Sequence, residues 1–148
     1  MDDCSSDKTN VISKKNGALV IKHHNNLGYD HALFSGFKKA KQLSYKFAIT
    51  IDADKQHNIN DAKKILRYLK KGNEIVYGER RKFQRFMEFI FSFYTSCFKN
   101  IKDPLCGLKG YNIKRCLKYG LLSKNNNIGT NVLLNSFGSN LRTYKLKI

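Results

Sequence analysis

Two aspartates separated by one residue, Asp52 and Asp54, directly follow the apolar run Phe47–Ile51. Side chains two positions apart at a strand end point to the same side, so their carboxylates repel each other unless a cation or hydrogen-bond donors lie between them. Hard oxygen ligands suit Mg²⁺ or Mn²⁺, which also binds phosphates and neutralises charge on a departing diphosphate. A solvated turn is the alternative, but the position after a buried strand favours a metal site.

A second polar cluster opens the chain and contains three acidic and two hydroxyl side chains: Asp2, Asp3, Ser5, Ser6 and Asp7. A loose acidic turn is the usual fate of such residues near a terminus. The functional alternative is a carboxylate that accepts hydrogen bonds from the base or ribose of a nucleotide, as acidic residues at strand ends do in nucleotide-binding folds.

The third cluster is Glu79-Arg80-Arg81, which follows another apolar run. Arginine suits bidentate binding of phosphate, and Gly78 is expected to let the backbone turn there. Exposed positive charge is the alternative. All three clusters are expected at one edge of a sheet, since parallel α/β sheets bind ligands beyond the carboxyl ends of their strands. His57 is read as a structural or surface group and receives no role.

Alternating apolar periods predict the elements that position these clusters. Strands are expected at 18–21, 47–51 and 74–77, and helices at 28–41 and at 60–71, the latter capped by Asn60. The run Phe47–Ile51 is apolar on both faces, which is typical of the middle of a parallel sheet. The β-α-β-α-β order predicts an α/β fold with a mostly parallel sheet, right-handed crossovers and flanking helices.

The second half of the chain is rich in aromatic residues. A long helix is expected over 82–100, either as core or as an amphipathic helix lying at a membrane interface, where its basic residues would meet lipid phosphates. A loop is expected at 103–107, helices at 113–122 and 130–137, a break at 125–127 and a final strand at 142–148.

Length and composition bound the possible function. The 148 residues suit one domain, and the net charge of +17 implies an anionic partner: nucleic acid, an acidic membrane surface or a phosphate-bearing substrate. The sequence contains no nucleic-acid-binding motif, so no specific nucleic-acid partner is expected. No signal peptide, no run of about 18 apolar residues and no Cys-x-x-Cys pair is present, which predicts a cytoplasmic protein with reduced thiols.

The order of five motifs resembles family 2 glycosyltransferases of GT-A fold, especially the dolichyl- and polyprenyl-phosphate sugar transferases. The matching segments span nearly the whole chain: Asp2–Thr9, Asn26–Gly36, Ile51–His57, Gly78–Arg80 and Asp103–Tyr111.

The resemblance implies an inverting transfer of a sugar from a UDP- or GDP-sugar to a lipid phosphate. It assigns the metal, Mg²⁺ or Mn²⁺, to Asp52, Asp54 and Gln56. It assigns the nucleotide-sugar donor to Asp2, Asp3, Ser5, Asp52 and Asp54, and the acceptor phosphate to Arg80 and Arg85. The catalytic set is Asp54, Asp103 and Arg80, with Asp103 as the candidate base if the acceptor is a hydroxyl. A lipid acceptor implies peripheral contact with the inner face of the cytoplasmic membrane.

The chain departs from the family pattern in two places. Family members carry a strand and a helix before the Asp-Asp motif, roughly 30 residues or one βα unit, so the single domain 1–148 is expected to be incomplete at its N-terminus. A serine expected one turn after the second phosphate-binding arginine has no counterpart. Two alternatives therefore remain open: a saccharide hydroxyl as acceptor in surface polysaccharide synthesis, or an inactive truncated relic.

Overall fold

The computed structural model describes residues 1–54, 57–80, 90, 95–97, 101–122, 128–136 and 139–148. Within these ranges the chain forms five bounded helices, α1 Thr9–Lys15, α2 Tyr29–Gln42, α3 Ile59–Lys70, α4 Ile113–Lys118 and α5 Asn131–Ser136. It also forms four strands, β1 Phe47–Thr50, β2 Ile75–Glu79, β3 Lys109–Asn112 and β4 Thr143–Lys147.

The strands make one mixed sheet in the order β1-β3-β2-β4. The central strand β3 runs antiparallel to both β1 and β2, whereas β2 and β4 are parallel. Three of the four strands therefore point the same way, and an α/β sheet flanked by helices is confirmed. The expectation that β1 lies in the middle of a parallel sheet was wrong, because β3 separates it from β2 and leaves it at an edge, where its residues are half-buried.

Several predicted elements are confirmed with shifted bounds. Helices α2 and α3 and strand β4 match their predictions closely, while α4 is shorter than 113–122 and ends at Lys118. Strand β2 continues through Gly78 to Glu79, so the turn expected at Gly78 was wrong. A Cβ at Gly78 would lie 2.9 Å from the sulfur of Cys106, so the glycine is needed for packing rather than for a turn.

Three local predictions were wrong or missing. Residues 18–21 form no strand, because the segment makes only one isolated bridge, between the adjoining Lys22 and Asp2, rather than a ladder. Helix α1 was not expected. Strand β3 was also missed, since Lys-Gly-Tyr-Asn has weak strand propensity and is held in the sheet by pairing on both sides.

The N-cap of helix α3 lies two residues earlier than expected. Asn58 has an extended backbone, and its side-chain oxygen accepts a hydrogen bond from the backbone N–H of Asn60 at 2.9 Å. Asn58 is therefore the N-cap, and the prediction of Asn60 was wrong because Asn60 already has helical geometry. Ile65 and Leu69, four residues apart, turn the inner face of α3 to the sheet.

The sheet separates two hydrophobic clusters. The cluster under α3 contains Ile65, Leu69, Val76, Cys106, Leu108 and Leu146. The larger cluster on the opposite face joins α2 and the C-terminal helices to the sheet, and its centre is an edge-to-face contact between Phe37 and Tyr111 with ring centroids 5.0 Å apart.

Gly110 lets α3 approach the sheet. A Cβ at this position would lie 2.3 Å from Cγ2 of Ile65 and 2.9 Å from Cδ1 of Leu69. We expect Gly110→Ala to reduce the free energy of unfolding by about 1–3 kcal/mol, because the added methyl overpacks a closed interface. Urea denaturation measures this loss. A double mutant that also carries Ile65→Ala should lose less than the sum of the two single changes, and strict additivity would contradict the steric explanation.

The predicted aromatic helix over 82–100 lies mostly outside the described residues, of which 90 and 95–97 are helical. The expected break at 125–127 also lies outside them. In the part of the chain that the structure describes, no helix combines the length and the apolarity needed to cross a bilayer.

Candidate functional site

The carboxylate of Asp52 rests against the backbone of Gly107. A Cβ at Gly107 would lie 1.8 Å from Oδ2 of Asp52 and 2.5 Å from its Oδ1, so the absent side chain of the glycine provides the seat of the carboxylate. The hydroxyl of Thr50, the last residue of β1, donates a hydrogen bond to the carbonyl of Gly107 at 2.8 Å. This bond ties the end of β1 to the loop 103–107 and fixes where Asp52 can reach.

His57 lies beside Asp52 and was not assigned from the sequence. Its Nε2 is 3.6 Å from Oδ2 of Asp52, and its side chain is almost fully buried. Its Nδ1 is buried without a hydrogen-bond partner in the described part of the chain. The spacing Asp52-x-Asp54-x-x-His57 was the signal available in the sequence.

The described residues fit a divalent cation held by few protein ligands. Among the described residues, no three His, Cys, Asp or Glu side chains form a group able to hold a metal ion. The side chain of Asp52 is 38% exposed, and Asp54 is exposed. One or two carboxylates open to solvent suit Mg²⁺ or Mn²⁺, which keep waters and substrate phosphates as their remaining ligands. Gln56, the third predicted ligand, lies outside the described residues.

A groove leads to Asp52 along the outer edge of β1. It has a volume of about 720 Å³ and runs between β1 and α2, with Asp52 and Ala53 at one end. Tyr29 of α2 lines this groove, and burial together with the charges of Asp52 and Asp30 raises its pKa to about 12. Tyr29 is therefore neutral at physiological pH.

Arg80, directly after β2, forms an ion pair with Asp103. Its Nε donates to Oδ2 of Asp103 at 2.8 Å and its Nη2 donates to Oδ1 at 3.0 Å, in the bidentate geometry that arginine favours. The backbone N–H of Arg80 also donates to Oδ2 at 3.1 Å. Asp103 is only 1% exposed, so both of its oxygens are occupied and shielded from water. Arg81 and Arg85 lie outside the described residues.

The ends of β1 and β2 therefore meet at one loop. Asp52 contacts the end of the segment 103–107, and Arg80 is bound to its beginning. This places the Asp52 carboxylate and the Arg80–Asp103 ion pair on the two sides of the same loop. Glu79, the remaining member of the third cluster, is buried and lies 3.3 Å from the ammonium of Lys145.

The acidic segment at the start of the chain is held in place by hydrogen bonds to its carboxylates. Asp3 accepts hydrogen bonds from the N–H groups of Leu27 and Gly28 and from Nδ1 of His23, and the Leu27 bond is the main cause of its lowered pKa. Asp2 accepts one from the N–H of Ser5 at 2.8 Å. The loose turn considered from the sequence is therefore a structured loop that holds the start of α2.

The profile of the glycosyl transferase family 2 model matches residues 1–133 of this chain. The chain belongs to glycosyltransferase family 2.

Two curated relatives match part of this family 2 chain. The uncharacterized protein MJ1222 of Methanocaldococcus jannaschii is 41% identical over 81 residues, which cover 54% of this chain and 33% of that protein. The UDP-N-acetylglucosamine–dolichyl-phosphate N-acetylglucosaminyltransferase of Methanococcus voltae is 38% identical over 65 residues, 43% of this chain and 26% of that enzyme. The matches thus span about a third or less of these relatives.

Solved structures confirm the GT-A fold. Glucosyl-3-phosphoglycerate synthase from Mycobacterium tuberculosis, in complex with Mn²⁺, UDP and glucosyl-3-phosphoglycerate, has a TM-score of 0.75 at 17% identity over 100% of this chain and 58% of its own. The same enzyme with phosphoglyceric acid gives a TM-score of 0.74 at 17% identity over 99% and 57%. At this identity the likeness concerns the fold.

Proposed function

We propose that this family 2 chain takes part in the inverting transfer of a sugar from a UDP- or GDP-sugar to a polyprenyl-phosphate-type lipid, with Mg²⁺ or Mn²⁺. The observation that carries the proposal is the meeting of Asp52 and the Arg80–Asp103 pair at the loop 103–107. A donor diphosphate with its cation and an acceptor phosphate are two anionic groups that must approach each other, and this loop has a group for each.

On the donor side, Asp52 and Asp54 hold the cation, with Gln56 as a further ligand. The cation supplies neutralisation of the charge that develops on the departing nucleoside diphosphate. Asp2, Asp3 and Ser5 contact the nucleoside. The M. tuberculosis enzyme crystallised with Mn²⁺ and UDP supports this use of the fold.

On the acceptor side, Arg80 and Arg85 hold the phosphate, and Asp103 orients the Arg80 guanidinium. Asp103 is a poor general base in this arrangement, because both its oxygens accept hydrogen bonds from Arg80 and the residue is buried. A phosphate acceptor is already anionic and needs little help from a base. The pairing therefore favours a phosphate over a saccharide hydroxyl as acceptor, and the dolichyl-phosphate enzyme of M. voltae agrees with this choice.

The charge of the chain is consistent with a lipid acceptor. A net charge of +17 attracts the chain to anionic membrane surfaces, and we propose peripheral contact at the inner face of the cytoplasmic membrane through the segment 82–100.

Calorimetric titration with UDP and GDP, with and without Mn²⁺, tests the donor site. We expect one of the two nucleotides to bind in a Mn²⁺-dependent manner, and Asp52→Asn to weaken that binding at least tenfold through loss of a charged metal ligand. Asp61→Asn is the matched control, because Asp61 pairs with Lys64 on α3. Equal affinity in the wild type and in Asp52→Asn would rule out the donor site at Asp52.

Transfer to dolichyl phosphate, compared with transfer to an unphosphorylated saccharide, tests the acceptor. Radiolabelled sugar recovered in the lipid fraction is the expected result. Recovery only in the saccharide would instead support the alternative acceptor.

A further inference from the structure

Lys109 lies in β3, between the ends of the strands that precede Asp52 and Arg80. It is the first residue of β3 and pairs with Thr50 at the end of β1 and with Tyr77 near the end of β2. Its side chain shares a sheet face with those of Tyr77 and Tyr111, since side chains alternate along a strand. The lysine therefore projects from between the two strands that carry Asp52 and Arg80.

The ammonium of Lys109 is buried without a carboxylate in direct contact. The residue is 2% exposed, and its Nζ donates a hydrogen bond to the carbonyl of Gly129. In the described ranges of the chain it forms no ion pair. Burial lowers the pKa of Lys109 to about 8, because a charged group loses its hydration there. A buried charge of this kind destabilises the fold, so stability does not account for the lysine at this position.

The turn that carries Gly129 is fixed from both sides. Its N–H donates to Oδ1 of Asp30 at 3.0 Å, and a Cβ at Gly129 would lie 2.6 Å from the ring of Tyr29. Because the turn cannot shift easily, the carbonyl holds the Lys109 ammonium at one place.

The charges around Lys109 are those of the proposed site. Among the groups charged near neutral pH, Asp103 and Asp52 favour its charged form, whereas Arg80 opposes it. Arg80 already pairs with Asp103, so Asp52 is the remaining carboxylate among these charges, and Lys109 pairs in the sheet with Thr50, two residues before it. Without the lysine, the end of β1 would carry an excess of negative charge that repels a diphosphate.

We propose that Lys109 is a positioning residue that sets the charge balance of this site, offsetting Asp52 so that the site accepts a cation together with a diphosphate rather than a cation alone. This inference rests on the proposed function. The inference adds a residue of β3 to the proposed site, together with the requirement that the bound species as a whole be anionic.

Lys109→Met, which removes the charge and keeps the length of the side chain, tests the proposal. We expect Mn²⁺ alone to bind about threefold to tenfold more tightly, and UDP or GDP with Mn²⁺ at least tenfold more weakly, because one partly screened positive charge is lost. Electron paramagnetic resonance of free Mn²⁺ measures the first affinity and calorimetry the second. Lys109→Arg should resemble the wild type in both.

Opposite changes in the two affinities identify an electrostatic role, since a purely structural defect weakens both. Lys70→Met, which removes one exposed charge from α3, is the control and should change neither. If both affinities fall together, or stay unchanged in a variant that circular dichroism shows to be folded, the role of Lys109 is overturned and the proposed function is not. If Lys109→Met fails to fold, Lys109→Gln replaces it with the same expected signs. A wild type that binds neither Mn²⁺ nor nucleotide overturns the proposed function and this inference with it.

Discussion

Replacing Gly107 with alanine is expected to lower the rate of the proposed sugar transfer by about 100-fold, the cost of moving a site group by roughly 1 Å. The new Cβ would occupy the place of the Asp52 carboxylate, since it would lie within 2.5 Å of both carboxylate oxygens. The Asp52 side chain can rotate away, so we expect the free energy of unfolding to change by less than about 1 kcal/mol. Turnover assays and urea denaturation of the same preparation measure the two effects.

Gly36→Ala is the matched control for this experiment. A Cβ at Gly36 would make an ordinary 3.4 Å contact with the side chain of Met1, and alanine favours a helix over glycine by roughly 0.5–1 kcal/mol. This variant should be at least as stable as the wild type, and because Gly36 lines the groove beside α2, it serves as a control for stability alone. If Gly107→Ala retained full Mn²⁺ affinity and turnover, Asp52 would have no role at the position in which the structure holds it.

Removal of the Asp103 side chain is expected to have the largest effect on stability. Asp103→Ala leaves the Arg80 guanidinium, itself only 16% exposed, without its bidentate partner. Loss of one member of a buried ion pair costs about 3–5 kcal/mol, because the remaining charge stays desolvated. For a chain of this size, we expect the melting temperature to fall by roughly 10 °C. Thermal unfolding monitored by circular dichroism measures it.

An exposed ion pair provides the comparison. Asp61 and Lys64 lie 2.7 Å apart on the surface of α3, and Asp61→Ala should cost less than about 1 kcal/mol. The double variant Arg80→Met/Asp103→Leu should recover part of the stability lost in Asp103→Ala, since it leaves no unpaired charge. A double variant as unstable as the sum of its single changes would show that the two side chains do not act as a pair.

Periodicity was sufficient to find the elements that carry the candidate site. The amphipathic spacing of Ile65 and Leu69 predicts α3, and the apolar run before Asp52 predicts β1. The clusters at Asp52 and Arg80 were expected at one sheet edge, and both meet the loop 103–107. Which segment forms a strand, and which polar residues follow it, are local properties that a single sequence contains.

Strand pairing and side-chain burial across the sheet could not be predicted from periodicity. Strand β3 is held by neighbours on both sides, and the order of strands depends on that pairing rather than on the composition of Lys109–Asn112. The seat that Gly107 offers to Asp52 and the burial of the Lys109 ammonium are likewise products of tertiary packing. His57 received no role from the sequence because a lone histidine is more often a structural or surface group, although its spacing from Asp52 was visible.

The order of strands also has a consequence for how the chain folds. Each described ladder joins segments that are distant in sequence: β1 with β3, β2 with β3, and β2 with β4. Contacts between distant segments form only after a large loss of chain entropy, which slows folding. During synthesis, β2 must wait for residues 143–147 to leave the ribosome before it gains its parallel neighbour. Until those residues emerge, the growing chain carries an unfinished sheet, which leaves it open to aggregation and dependent on chaperones.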